Sequence, residues 1–476
     1  MAVVINGTTG IDKVQDDSVD IADLSATGSP SSSTYLRGDN SWATAGGATS
    51  INGLSDGNTT GTDNLGLGTN VWSSGSYSGS YNTAVGKASM SATTSGQRNV
   101  AMGREALYTN TTGSYNVGLG MNAMNQNTTG SENIAVGYDT LLSNTTGAEN
   151  VAVGYQALTS NTTGGGNVAL GYKALRINTT ADNNIAIGAT SLYDNTTGSG
   201  LIAIGKSALA ANSTGAQSVA VGSFALNDNT TGGYNTAIGN YALAVSTTAN
   251  TCVAIGYESL VANTTGSDNV GIGVDSLKAN TTASDNTAVG RSALTANTTG
   301  YAVTAVGKFA LSGNTTGVRN TALGFQAGDN TSSASDNISI GYQARPSSSS
   351  VSDQCTLGNA AITDLRCNDT SISSLSDSRD KTNIVDIPLG LSFINAVRPV
   401  SFDWNRRDGS MAGKKDFGFI AQELKTAADA TDYANHMRLV HDDNPDKLEA
   451  DPMKMFPILV KAIQELSAKV KALEEA

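Results

Sequence analysis

Apolar and polar positions repeat along most of the chain with a fixed period of 17 residues. The triplet Asn-Thr-Thr, or a close relative, restarts at position 110 and at every seventeenth residue from there to 314. The unit reads N-T-T-G-x-x-N-h-A-h-G-x-x-A-L-x-x, where h is mostly Val or Ile. A fixed short period indicates a solenoid, in which each repeat is one coil that cannot bury its apolar side alone.

The unit predicts a mainly β fold, a parallel β-roll or β-solenoid. The h positions alternate with Ala and therefore share one face of a short strand. Leu158 and its equivalents supply a second apolar position across the coil. Seventeen residues suit a flattened coil with two short strands and two turns, and N-T-T-G and Gly154 provide turn chemistry in which Gly is free to take positive φ. The Asn before each strand should form a ladder, which is interrupted at Leu201, Ser218, Cys252 and Val303; its regular members include Asn116, Asn133, Asn150, Asn167 and Asn184.

So small a coil has a thin core, and one chain alone buries little apolar surface. The small Ala face lets another backbone come close. The expectation is therefore a homotrimer whose three chains pack their Ala faces together.

The chain after residue 367 has ordinary charge, aromatic and Pro content. Its pattern predicts helices over 388–397 and 422–430 and strands over 399–405 and 416–420. A coiled coil is expected over 455–476, because apolar residues alternate at three- and four-residue spacing: Phe456, Leu459, Ile463, Leu466, Val470 and Leu473. The predicted organisation is an N-terminal attachment segment and linker at 1–57, the repeat array at 58–367, a linker at 368–375 and a small α+β domain at 376–476.

Composition excludes several classes of function. The net charge of −13, three times larger in a trimer, argues against nucleic acid and anionic membrane as partners. With two His and three Cys at no metal spacing, no metal site, cofactor or disulfide framework is expected. The start of the chain lacks the apolar core of a signal peptide, and no run is long enough to span a membrane. The Asn-Thr-Thr sequons are interpreted as turn residues.

One stretch, residues 376–381 (SDSRDK), offers candidate catalytic chemistry. A serine hydroxyl becomes a nucleophile when a base takes its proton. With histidine so scarce, the available base is Lys381, provided that burial keeps its amine uncharged. From spacing alone, a solvated charged linker is the favoured explanation of the same residues.

Three segments resemble known families. The stretch GSPSSSTYLRGDNSW is similar to the N-terminal part of phage tail fibres, and its Arg-Gly-Asp triplet fits a turn better than an integrin motif. The motif N-h-A-h-G resembles the repeat of trimeric autotransporter adhesin heads, which are left-handed parallel β-rolls. S-D-x-R-x-K-x-x-I, followed by F-D-W, G-F-I-A-Q-E and a terminal coiled coil, resembles the intramolecular chaperone domain of phage endosialidases, tailspikes and tail fibres.

The last resemblance implies a domain that drives trimerisation and then cuts itself off. Carried onto this chain, it makes Ser376 the nucleophile, Lys381 the general base and Leu375–Ser376 the scissile bond. The resemblance also implies supporting roles for a further set of residues: Asp377, Arg379, Gly418, Gln422 and Glu423.

The resulting hypothesis is a homotrimeric phage tail fibre or spike, assembled in the host cytoplasm and carried on the virion. Its N-terminus would join a tail or baseplate protein, and the rod would bind a host surface glycan or protein. Variable positions expected to be exposed for such contact are Tyr155, Tyr172, Lys206, Phe224 and Tyr241. The only enzymatic activity expected is self-cleavage.

Two alternatives remain. One is a tailspike glycan depolymerase that uses carboxylates of the array, for which the isolated candidates are Glu132, Glu149, Asp182 and Asp268. The other is a bacterial trimeric surface adhesin, which the absence of a recognisable signal peptide or anchor disfavours.

Overall fold

The structure is a computed structural model that describes residues 63–74, 77–362, 378–405, 413–442 and 448–476, together with the backbone of two short strands. The chain divides into two units, residues 1–217 and 218–476.

The first unit begins with an antiparallel pair, β1 (Thr34–Leu36) and β2 (Trp42–Thr44). Nine three-residue strands follow, and each pairs in parallel with the next. Their bounds are β3 Leu65–Leu67, β4 Thr83–Val85, β5 Val100–Met102, β6 Val117–Leu119, β7 Ile134–Val136, β8 Val151–Val153, β9 Val168–Leu170, β10 Ile185–Ile187 and β11 Ile202–Ile204. The first step, from Leu65 to Thr83, is one residue longer than the 17-residue steps that follow.

The second unit continues with nine such strands, again parallel and in register. They are β12 Val219–Val221, β13 Thr236–Ile238, β14 Val253–Ile255, β15 Val270–Ile272, β16 Thr287–Val289, β17 Thr304–Val306, β18 Thr321–Leu323, β19 Ile338–Ile340 and β20 Cys355–Leu357. The predicted fold class, a parallel β-solenoid of 17-residue coils, is confirmed.

The predicted orientation of the strands is wrong: Ala is the inward residue. Ala152 is fully buried between its neighbours in β7 and β9, and Leu158 is fully buried opposite it. Val151 and Val153, in contrast, point outward, and Val153 is 36 % exposed. The two walls of so narrow a coil lie so close together that a methyl group fills the space on the strand side. The Ala faces are therefore not available to pack against other chains.

Each coil contains one strand, and the second predicted strand is absent from the described coils. The segment that was expected to form it includes Gln156 and Leu158, both at a φ of 53°. A left-handed residue breaks the extended backbone, so this wall is a chain of turns. The buried Leu side chain fits the interior in that conformation.

The predicted asparagine ladder is present and satisfies buried backbone. Asn150 Nδ2 donates to Asn133 Oδ1 at 3.1 Å and to the Gly164 carbonyl at 2.9 Å. Asn150 Oδ1 accepts the backbone N–H of Asn167 at 3.0 Å. Each buried rung thus bonds to the coils on both sides of it.

A second ladder runs through the Asn of Asn-Thr-Thr. The sequence pattern predicts only a turn at these residues. Asn144 Nδ2 donates to Asn127 Oδ1 at 2.8 Å and to the Gly147 carbonyl at 2.9 Å. The following Thr145 donates its hydroxyl to the Thr162 carbonyl at 3.0 Å. Two stacks of buried Asn side chains therefore connect each coil to the next by hydrogen bonds.

The two glycine positions of the unit favour glycine for different reasons. Gly154 has a φ of 131°, as predicted, and a Cβ there would lie 2.5 Å from the Gly171 carbonyl oxygen. Gly147 needs close approach alone, since a Cβ would lie 2.4 Å from the Gly164 oxygen. Ala181 takes the Gly147-type position in another coil, so that site tolerates a methyl group with a small shift.

The C-terminal part of the second unit is a small α+β region, as predicted. Its helices are α1 Leu391–Ala396, α2 Ala421–Asp429, α3 Ala434–Met437 and α4 Phe456–Glu474, with short turns of 3-10 helix at Ser378–Asp380 and Pro452–Met455. Two antiparallel pairs join β21 Val400–Asp403 to β22 Lys415–Gly418 and β23 Val440–His441 to β24 Glu449–Ala450. Its buried cluster consists of Phe393, Leu424, Ala428, Met437, Leu439, Met455 and Ile458.

Candidate functional site

The candidate catalytic region lies at the start of the C-terminal part. The 3-10 turn Ser378–Asp380 leads into Lys381, whose backbone N–H donates to the Ser378 carbonyl at 3.2 Å. Lys381 then opens a segment, residues 381–389, that lines a cleft of about 530 Å³. Ile384 and Val385 in this segment are 69 % and 77 % exposed.

The opposite wall of the cleft comes from distant parts of the chain. Tyr433 and His436 of the α3 region contribute to it, as do Lys454, Pro457 and Ile458 around the start of α4. The rings of Tyr433 and His436 lie 5.7 Å apart. No local pattern connects His436 with Lys381, because only the folded C-terminal part brings the two residues to one cleft.

Three of the predicted site residues, Leu375, Ser376 and Asp377, lie outside the described residues. Lys381 is exposed in the single chain, and so is Arg379. The proposed nucleophile and base therefore remain sequence predictions, and burial of Lys381 would have to come from packing beyond this chain's described residues.

The other supporting candidates lie away from the Lys381 cleft lining. Gly418 ends β22 opposite Val400 and lines a separate shallow groove with Pro399 and Phe417. Gln422 is in the first turn of α2, where its carbonyl accepts the Thr426 hydroxyl at 2.9 Å. These positions fit a role in the fold.

Glu423 forms an ion pair with Arg398. Arg398 Nε donates to Glu423 Oε2 at 2.9 Å, and its Nη2 contacts the other carboxylate oxygen. This hydrogen bonding lowers the pKa of Glu423 and raises that of Arg398. The pair links α2 to the chain that enters β21.

The surface of the array carries rows of side chains that repeat from coil to coil. Tyr138, Tyr155 and Tyr172 stack with ring centroids 5.4 and 5.5 Å apart. In the second unit, Phe224 stacks on Tyr241 at 5.1 Å. Of the variable positions expected to be exposed, four are exposed and Phe224 is half-buried.

The carboxylates considered for a depolymerase are placed differently from the expectation. Glu132 and Glu149 are not isolated, because the register puts them at the same position of adjacent coils, where both are exposed. Asp182 accepts the Gly165 backbone N–H at 2.7 Å, and Asp268 accepts the Thr251 hydroxyl. The latter two act as local structural acceptors.

Among the residues that the structure describes, no group of three or more His, Cys, Asp or Glu side chains is arranged to hold a metal ion. None of the helices found there is both long and apolar enough to cross a membrane.

The C-terminal part matches a known protein family. Residues 376–434 match the peptidase S74 family model, described as chaperone of endosialidase. The match begins at the predicted nucleophile Ser376 and ends in the α3 region, so it includes Lys381, β21, β22 and α2. No curated protein and no solved structure matches the chain in the corresponding comparisons.

Proposed function

We propose that the protein is a homotrimeric phage tail fibre or spike that binds the host cell surface, and that its C-terminal chaperone directs trimerisation and then removes itself. The observation that carries the proposal is the order of parts: a 17-residue parallel β-solenoid is followed by a segment that matches the chaperone of endosialidase. The solenoid supplies a long repetitive surface, and the chaperone supplies the means to assemble it.

The outward face of the strands supports association of copies. In the first unit, residues of this face are between 36 % and 40 % exposed: Ile134, Val153, Leu170, Ile187 and Ile204. A row of branched apolar side chains at a spacing of about 4.8 Å is best covered by a partner with the same spacing. A second and a third copy of the chain meet that requirement. The chains would thus associate through the Val/Ile face.

Helix α4 supports the same conclusion. Ile458 and Ala462 pack against the C-terminal core, whereas the predicted coiled-coil seam is exposed. The seam residues Phe456, Ile463 and Leu473 are 64 %, 66 % and 79 % exposed. A helix with one apolar side packed and a second side uncovered requires a partner, and the three- and four-residue spacing of the seam fits other α4 helices.

The chaperone would set the register between the chains of the array. Parallel coils of near-identical sequence can slip by one whole coil and keep almost all of their contacts. A non-repetitive trimerising end aligns the chains before the array associates. Its later removal deletes the easy reverse route, so the fibre is held kinetically.

The cleavage step follows from the chemistry of Ser376 and Lys381. The neutral amine of Lys381 takes the Ser376 hydroxyl proton, and the oxygen attacks the Leu375 carbonyl carbon. The proton passes to the leaving Ser376 nitrogen as the peptide bond breaks, which leaves an ester. Water then hydrolyses the ester to the Leu375 carboxylate and the Ser376 hydroxyl. Lys381 is exposed in the single chain, so we infer that trimerisation buries it and thereby starts cleavage.

The test uses the full chain and its variants on a denaturing gel, with the mass of the native assembly measured by light scattering. Wild type should give residues 1–375 and 376–476 from a trimer. Ser376→Ala should form a trimer that stays full length, whereas Ser378→Ala, the matched neighbouring serine, should be cut. Lys381→Arg keeps the positive charge but lacks a usable base and should also stay intact. A monomeric wild type, or cutting of the Ser376→Ala chain, would refute the proposal.

A further inference from the structure

One corner of the first unit carries a row of cationic and aromatic side chains. We call this the corner row. Each strand from β4 to β11 is followed by a glycine, and the row consists of the residue directly after that glycine. Its members are Lys87, Arg104, Met121, Tyr138, Tyr155, Tyr172, Ala189 and Lys206. Backbone bonds between coils fix their order, for example from Lys173 N–H to the Tyr155 carbonyl at 2.9 Å and from Ser207 N–H to the Ala189 carbonyl at 3.0 Å.

The charge of the corner row contrasts with that of the whole protein. The chain has a net charge of −13, yet the row includes three cations and no carboxylate. The acids of the adjacent row are engaged: Glu105 lies 3.8 Å from Arg104, and Asp139 accepts the Asn122 side chain at 3.0 Å. Seven coil steps give the row a length of about 34 Å.

The tyrosine stack in the middle of the row has an open end. Tyr155 covers one face of Tyr172, and the next residue of the row is the exposed Ala189, which reaches no further than its methyl group. Tyr172 is accordingly the most exposed of the three rings, at 50 %. A notch one side chain wide therefore separates Tyr172 from Lys206.

One cation lies beside that notch on the Tyr172 side. Lys173 Nζ lies 4.9 Å from the centre of the Tyr172 ring, and its hydrogen bond to that ring's hydroxyl raises its pKa. Arg176 is engaged with the following coil, where it packs over Tyr193 and donates to its hydroxyl at 2.6 Å. Asp182, at the other end of the strand, is held by Gly165. An anionic group in the notch would meet positive charge on both sides.

We propose that the corner row is the binding site for an acidic polysaccharide, with one sugar ring stacked on Tyr172 above Ala189 and its carboxylate, or that of a neighbouring sugar, at Lys173 and Lys206. This inference rests on the proposed function and names the receptor class. A flat apolar ring face, flanking cations and an extended row match a chain of pyranoses that bear carboxylates. Because the row comes directly after the glycine that follows each strand, it lies beside the Val/Ile face and not on it.

The test measures retardation of the full-length protein in gels that contain polygalacturonate, alginate or polysialic acid. Each polymer is compared with its methyl ester, which keeps the sugars and removes the charge. The wild-type protein should be retarded in a gel with at least one acidic polymer and should migrate freely in a gel with the methyl ester of that polymer. Tyr172→Ala should weaken binding roughly five- to ten-fold, the scale of one aromatic contact. Ala189→Tyr should weaken binding by a similar factor, because its ring would fill the notch and continue the stack of Tyr138, Tyr155 and Tyr172.

The matched control is Tyr342→Ala, which removes a ring from the Phe325–Tyr342 stack of the second unit and should leave binding unchanged. Equal binding of the esters, no binding of any acidic polymer, or no effect of both notch variants would overturn the inference. Equal retardation by single-stranded DNA would replace it with unspecific anion binding.

Parallel assays separate this inference from the proposed function. A preparation that trimerises, cleaves itself and adsorbs to bacterial cells but ignores the polymers refutes the corner-row site alone. A monomeric or uncleaved preparation that adsorbs to no strain of a bacterial panel refutes the proposed function.

Discussion

Replacing Asn150 by alanine removes one rung of the ladder that precedes the strands. The side chain is fully buried, and its Oδ1 accepts both the backbone N–H and the Nδ2 of Asn167. Asn167 Nδ2 keeps a second acceptor in the Ala181 carbonyl, and the Gly164 carbonyl keeps the Asn161 amide as a donor. The one group left without a partner is the backbone N–H of Asn167.

The expected destabilisation follows from this count. A buried donor without an acceptor costs about 1–3 kcal/mol, and the lost hydrogen bonds and the small void add about 1 kcal/mol. Asn150→Ala should therefore cost about 2–4 kcal/mol. Asn150→Ser should recover part of that loss, because Ser218 at the equivalent position accepts the Asn235 N–H through its hydroxyl at 3.1 Å.

Hydrogen exchange is the suitable assay, because a repeat array need not unfold in one step. Peptides covering residues 161–178 should exchange roughly 30 to 1,000 times faster in Asn150→Ala, since 1.4 kcal/mol is a factor of ten. The control Thr146→Ala changes an exposed turn residue and should leave the rate unchanged within about two-fold. If Ala and Ser variants exchange at the same rate, the orphaned N–H is not the cause and the reasoning is wrong.

Three further predictions concern single positions of the coils. Burial raises the pKa of the Cys252 thiol to about 11. In a chain that carries Cys355→Ser and Cys367→Ser, Cys252 should therefore resist thiol reagents at pH 8 until the protein unfolds. Because the fold disfavours the thiolate, the free energy of unfolding should fall as the pH rises from 9 to 11. Reaction at the rate of a free thiol would contradict this. Glu149, at a φ of 60°, should be replaceable by Gly with a gain of about 1 kcal/mol, measured by the same exchange assay, and a loss would count against strain at that position. Gly154→Ala should cost about 3 kcal/mol or more, because it combines a glycine-only φ with a methyl group against backbone; wild-type exchange in that coil would disprove the close approach.

Part of the fold could be predicted because it depends on periodicity alone. Identical positions 17 residues apart must stack when the strands are parallel, which led directly to the solenoid, the Asn150 ladder and the positive φ of Gly154. In the C-terminal part, five segments were predicted within a few residues, including helix α4 over Phe456–Glu474. Their patterns are local, and local patterns survive in the fold.

The candidate site was less predictable. The SDSRDK stretch pointed to the segment that the family model matches, but its neighbours across the cleft, Tyr433 and His436, are more than fifty residues away in sequence. Glu423 carried no local sign that it would pair with Arg398. Such contacts are made by packing between elements, which no spacing rule encodes.

The period, the strand positions and the two kinds of residue that alternate along each strand can all be read from the chain. That Ala152 faces inward and Val153 outward became known from the folded coil alone. Alternation separates two faces of a strand but does not say which one is inside, and ordinary hydrophobicity favours Val. The width of the coil settled the choice: with Leu158 and two Asn stacks already inside, a methyl group is all that the remaining space holds.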